Sequence, residues 1–206
     1  MIFEEKKCCL IDLCSNDCKV GLYAVIPSFT IPAAKVLFDG EEYETPEFVT
    51  PETKLYCIQN DGEKIQLLFD NCLFNMAISP FRENKEISFK SSFLKRYLKK
   101  VFVPAFQDQI GLQRIKLKCD IPSYKDVFGD ENGENRLQWF EEPKHKIAMY
   151  KDESEWWWLS TVYDGDRAVA LSAYFCNVNN DGDANYNYAS YASLYVRPRF
   201  SIGVQA

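Results

Sequence analysis

The chain has 206 residues, 47% hydrophobic and 15% aromatic, which suits one folded domain with a sizeable core and excludes wholesale disorder. A formal net charge of −6 and a pI near 5.0 argue against a general nucleic-acid or anionic-membrane binder. No apolar run approaches the roughly 18–20 residues of a membrane span.

The opening MIFEEKKCCLIDL lacks the layout of a cleavable export signal, so synthesis in the cytoplasm is expected, with reduced and mostly buried thiols at the eight cysteines. Residues 20–27 are β-rich, and Pro27, Pro32, Pro46 and Pro51 punctuate the stretch up to residue 51. Residues 1–50 therefore form an N-terminal extended segment, either an oligomerisation arm or a layer packed on a domain spanning 51–206. Two β-prone runs, 54–59 and 64–69, flank Asn60-Asp61-Gly62 and predict a hairpin. Ser91-Ser92 supplies a helix cap. Phe93, Leu94, Tyr97, Leu98, Val101 and Phe102 then recur at helical spacing, predicting a helix over 90–103.

Residues 90–118 carry eight basic side chains against Asp108 alone, so the remainder sums to −6 − (+7) = −13. This basic stretch reads as the solvated face of the helix and a strand, with contact to an acidic partner as the alternative. Strict alternation over 114–121 predicts that half-buried strand, and 123–128 begins like a short helix before the Gly129–Gly133 loop. Trp156 and Trp158 fall on one face of an extended segment and Trp157 on the other, where a core role is expected.

Catalysis finds little support. The lone His145 lies between Lys144 and Lys146 and reads as a surface residue; Ser123 and Ser160 sit in no nucleophile elbow, and no catalytic residue is assigned. Cys8, Cys9, Cys14 and Cys18 start with an adjacent pair and have no histidine nearby, unlike a zinc site. Asn177-x-Asn179-x-Asp181-Gly182 echoes a calcium loop, but its twelfth position is Tyr188 rather than Glu, so a tight turn is the better account. No metal or cofactor is expected.

The last third changes chemistry. Between Tyr174 and Tyr195, 12 of 22 residues are Asn, Tyr or Ser, with almost no aliphatic residue to build a core. Tyr offers broad amphipathic contact at low entropy cost, and Asn and Ser adapt their hydrogen bonds, as in antibody-like surfaces. Tyr163, Tyr174, Asn177, Asn179, Asn185, Tyr186, Asn187, Tyr188, Tyr191 and Ser193 are accordingly expected to lie largely exposed on one contiguous ligand-binding face.

The segments at 117–129, Trp157-Trp158-Leu159-Ser160, Cys176-Asn-Val-Asn-Asn-Asp-Gly and Val196-Arg-Pro-Arg-Phe-Ser-Ile resemble an uncharacterised bacterial and phage domain family. Its members end in Trp-Trp-Leu-Arg-Ser and Gly-Val-Arg-Pro motifs, and it is similar to the formylglycine-generating-enzyme-like branch of the C-type lectin fold. Here Thr161 follows Ser160 where Arg-Ser-Pro is usual, and Tyr195 replaces the usual Gly. The 185–195 run is similar to the variable region of diversity-generating-retroelement target proteins, in which Asn codons mutate to Tyr, Asp, Ser, Leu or Ala codons on a binding face.

The resemblance implies an α+β, C-type-lectin-like fold of small mixed or antiparallel sheets with one or two helices, and a variable region over about 157–200. That region adds Asp164, Asp181, Asp183, Ser190, Leu194 and Tyr195 to the ligand-binding set. It implies a non-enzymatic variable protein, phage- or prophage-encoded, that recognises a protein or glycan receptor without nucleic acid or membrane insertion, with carriage by a virion or by the host cell left open. Homo-oligomerisation is left open. Formylglycine chemistry is not implied, because the catalytic cysteine motif is missing. The alternative is a structural or assembly protein of a phage particle that uses the same segment as a subunit interface.

At the exit, Val196, Pro198 and Phe200 alternate with Arg197 and Arg199 like a strand with one buried face, placed at an edge or bulged where Pro198 lacks a donor. Arg197 is expected to be framework, reaching back towards the Trp triplet.

Overall fold

The computed structural model describes residues 3–80, 87–163 and 173–203. In chain order come β1 (Lys6–Lys7), a 3-10 turn (Leu10–Cys14), β2 (Leu22–Ile26), β3 (Thr30–Ile31), β4 (Ala34–Phe38), β5 (Glu41–Thr45) and β6 (Phe48–Val49). Next are β7 (Thr53–Asn60), β8 (Lys64–Phe69), β9 (Phe74–Asn75), α1 (Phe93–Tyr97), a π turn (Leu98–Phe102) and α2 (Val103–Ile110). The C-terminal part holds β10 (Lys118–Asp120), α3 (Tyr124–Phe128), β11 (Ala148–Tyr150), β12 (Glu153–Glu155) and β13 (Trp157–Val162). It ends with β14 (Tyr174–Val178), β15 (Ala184–Tyr188), β16 (Tyr195–Val196) and β17 (Arg199–Gly203).

These form a six-stranded sheet, β1-β2-β7-β8-β17-β10, and a five-stranded sheet, β15-β14-β13-β16-β9, with three small ribbons. Pairing is antiparallel except between β1 and β2 and between β13 and β16. With one main helix, the class is α+β as expected.

The predicted hairpin is β7–β8. Asp61 Oδ1 accepts from the backbone N–H of Glu63 and Lys64, and Gly62 takes the positive φ that the turn requires. The first fifty residues are not an isolated arm: β2 pairs with β7, and Ala24, Ile26, Phe29, Val36 and Phe38 share a core with the helix.

The helix is capped as predicted, Ser92 Oγ accepting from Lys95 N at 3.1 Å. It runs further than 103, however, through the π turn to Ile110, where Gly111 at φ 81° ends it. Pro104 cannot donate to the preceding turn, and the wider π turn just before it absorbs that loss. Packing holds the continuation: the Phe102 ring stacks on Phe200, and Phe106 packs on Phe29, Phe69 and Phe200.

The predicted 114–121 strand is also corrected, since only β10 pairs with β17. Gln107 Nε2 donates to the Leu112 and Ile115 carbonyls, which pulls the preceding residues onto the helix end instead of the ladder. Ser123 and Asp126 form a reciprocal capping box that starts α3.

Trp157 and Trp158 are fully buried and point into two different cores, their ring N–H groups donating to the carbonyls of Lys146 and Met76. Trp156 is 36% exposed and precedes the strand, so it does not share a core face with Trp158 as expected. His145 is not a surface residue. It is buried, its ring lies parallel to Trp139 at 3.8 Å, and Nδ1 donates to the Trp139 carbonyl at 2.6 Å. Burial holds its pKa below the ordinary imidazole value. All eight cysteines are free thiols, five of them buried.

Candidate functional site

The Tyr- and Asn-rich segment folds as the hairpin β14–β15 at one edge of the five-stranded sheet. Its turn is tied by Asn179, whose Oδ1 accepts from the backbone N–H of Asp181 and Asp183. Gly182 has φ 87° and passes close to Lys146 and Ile147, where a Cβ would sit in van der Waals contact. The Asn179 side chain is thus used to close the turn, as the tight-turn reading requires. Asp181 and Asp183 are exposed beside it. Among the described residues, no group of three or more His, Cys, Asp or Glu is arranged to hold a metal.

Strand alternation decides which candidates meet. The register sets Tyr174 opposite Tyr188 and Cys176 opposite Tyr186, so these side chains share one face. Four tyrosines gather there. Tyr163 stacks on Tyr186 with centroids 4.0 Å apart and planes 9° from parallel; Tyr174 meets Tyr186 edge-on at 5.8 Å and packs on Tyr188 at 4.5 Å. All four are half-buried, which corrects the expectation of largely exposed rings: each ring covers part of the next.

Asn185 and Asn187 point to the opposite face of the hairpin. Their Oδ1 atoms accept from the backbone N–H of Tyr186 and Tyr188 at 2.7 and 2.9 Å. Because Ala189 N donates inward to Ala173 O, the Tyr186 and Tyr188 N–H groups face away from β14, along the free edge. The two asparagines therefore cover edge donors that would otherwise invite another strand.

Other candidates leave the proposed face. Asn177 lies opposite Trp158, is completely buried, and has neither amide atom hydrogen-bonded; alternation turns it into the molecule rather than towards a ligand. Leu194 is buried in the main core, whose apolar contacts it completes. Tyr195 packs on Tyr150 at 4.6 Å; burial, with Glu155 nearby, raises its pKa. Ser190 is half-buried, while Tyr191 and Ser193 are exposed in the loop after β15. Asp164 lies outside the described residues. One contiguous face holding the whole set is thus replaced by a tyrosine cluster, an asparagine-lined edge and three inward residues.

The exit strand supplies the frame beneath. Arg197 is 1% exposed; its Nε donates to the Phe69 carbonyl at 2.8 Å and its Nη1 to the His145 carbonyl at 2.7 Å, with the guanidinium 5.1 Å from the Trp157 ring. Arg199 is buried too, bridging Asp120 at 2.9 Å and Asp126 at 2.7 Å. The segment is therefore buried on both faces rather than one. Pro198 separates β16 from β17 and marks the crossing from one sheet to the other, while β17 lies between β8 and β10 and is not an edge.

A protein family described as a domain of unknown function (DUF6273) matches residues 110–204, a span that includes the Trp strand, the tyrosine hairpin and the two arginines. No curated protein and no solved structure matches the chain.

Proposed function

We propose that the chain is a non-enzymatic recognition protein that holds a protein or glycan receptor against the Tyr163, Tyr174, Tyr186 and Tyr188 cluster. The observation that carries this reading is the ring-on-ring packing of Tyr174, Tyr186 and Tyr188 on one face of an edge hairpin with Tyr163 just after β13. Rings that already stack lose little side-chain freedom on binding, so they present preorganised contact area. Asparagine coverage of the edge N–H groups favours reading by side chains over addition of a partner strand.

The C-type-lectin-like scaffold, retroelement-driven variation and a phage source belong to this proposal, supported by the Asn, Tyr, Ser and Ala composition of 185–195 beside a buried arginine frame. Two experiments test it. The neighbouring DNA should hold a reverse transcriptase and a near-copy of the codons for 157–200; finding neither removes the variation element. Arrays of bacterial surface glycans and envelope proteins, probed with the full chain and with Tyr186→Ser, should give a wild-type signal that the variant loses. A wild-type oligomer that Tyr186→Ser dissociates, with no array signal, would instead support the subunit-interface alternative.

A further inference from the structure

A cleft of about 470 Å³ lies at the β10 edge of the six-stranded sheet, lined by Cys14, Asn16, Arg114, Lys116, Lys118 and Ser201 among others. Small-molecule sites commonly fall between about 300 and 1,000 Å³. Arg114, Lys116 and Lys118 are exposed while Ile115 and Leu117 between them are half-buried, so the three cations project together. Among the described residues none of the three has a carboxylate or hydrogen-bond partner, and no Asp or Glu lines the cleft. The Cys14 thiol is pushed up to about 11 by burial, so it brings no negative charge either.

The floor gives an independent observation. Ser201 stands directly opposite Lys118 in the β10–β17 ladder, which puts both side chains on the cleft side of the sheet. Ser201 is only 6% exposed, and its hydroxyl has no hydrogen-bond partner. Next across the sheet is Gln66, also buried, with its Oε1 unpartnered. A buried hydroxyl without a partner has lost its hydration with nothing to replace it, so an acceptor placed in the cleft would relieve that cost. Three uncompensated cations around an unpaired donor form a receptor for a multiply charged oxyanion.

We propose that this cleft binds a small ligand bearing two or more linked phosphates, with the lysines and arginine neutralising the phosphoryl oxygens and Ser201 donating to one of them. One orthophosphate carries only about two negative charges near pH 7, fewer than the three cations, whereas two or more linked phosphates match them. Inorganic polyphosphate and the polyphosphate tail of a nucleotide share this chemistry.

Calorimetry on the full chain with sodium tripolyphosphate, orthophosphate and ATP, near physiological salt, tests the assignment. Tripolyphosphate should bind at least about tenfold more tightly than orthophosphate, a difference of about 1.4 kcal/mol. ATP binding more tightly than tripolyphosphate would point to a nucleotide, and equal binding to inorganic polyphosphate. Lys116→Gln and Lys118→Gln should each weaken tripolyphosphate about tenfold, whereas Lys99→Gln on the helix should leave it unchanged. Ser201→Ala should weaken binding without lowering the melting temperature of the free protein. The proposal is overturned by no tripolyphosphate binding, by equal losses in Lys99→Gln and Lys118→Gln, or by ATP binding where tripolyphosphate does not. Tighter binding of an oligothymidylate than of tripolyphosphate would overturn it in favour of nucleic acid.

Discussion

Arg197 Nη1 donates to the His145 carbonyl at 2.7 Å, joining the exit segment to the short loop whose imidazole stacks on Trp139. The same guanidinium reaches the Phe69 carbonyl at the end of β8, so one side chain ties the junction of the two sheets to the second core. Arg197→Met should therefore destabilise the fold by on the order of 3 kcal/mol, since it leaves two carbonyls without their donor and disturbs a buried aromatic contact. Chemical denaturation would check this. Unchanged stability would mean that the arginine is dispensable to the frame.

His145 gives stability a pH dependence of definite sign. Burial lowers its folded pKa, with Lys144 and Arg197 acting in the same direction and the Trp139 carbonyl and Glu142 against it. The unfolded chain then binds the extra proton first, so the contribution is fully present above about pH 6.5 and falls as the pH drops towards the folded pKa. The melting temperature should decline between pH 7 and pH 5, and His145→Gln should flatten that part of the curve. The lowered carboxylates of Glu5 and Glu142 act further into the acid range, separating the two effects.

Tyr186→Ala and Trp158→Ala should differ in kind. Trp158 is fully buried and donates to Met76 O, so its truncation should cost about 3–5 kcal/mol. Tyr186 is half-buried and loses chiefly its ring contacts with Tyr163 and Tyr174, worth about 0.5–1.5 kcal/mol each. Thermal melts of the two variants decide the division between frame and contact surface, and comparable losses would abolish it.

Asn177→Leu should leave stability unchanged or raise it. The amide is buried with both polar atoms unpartnered, so an apolar side chain of similar shape removes a desolvation cost and no hydrogen bond. A large drop in melting temperature would show that a buried water serves the amide.

What the sequence reveals tracks how local each signal is. The Asp61-Gly62 turn, the Ser92 cap and the Ser123–Asp126 box are each decided within four residues, and each appears where the local pattern places it. The end of the helix is not legible, because Pro104 is a stop signal overridden by Phe102 and Phe106 packing against Phe200, about a hundred residues away. The burial of His145 is hidden for a similar reason: its lysine neighbours are local, whereas Trp139 and the second core enclose it. In the hairpin, composition marks the segment but not the faces. The β14–β15 register sends Asn177 inward and gathers Tyr174, Tyr186 and Tyr188, and the Tyr163 stack and the Lys118–Ser201 pairing likewise need tertiary placement.

The most direct test of tyrosine-mediated recognition is a displayed library in which every position of 157–200 is substituted singly. It would be sorted once for folding and once for retention of the array-identified receptor. The recognition reading predicts that substitutions at Tyr163, Tyr174, Tyr186 and Tyr188 pass the folding sort and fail the receptor sort, while those at Trp157, Trp158 and Arg197 fail both. Retention of the receptor by variants at all four tyrosines would contradict it.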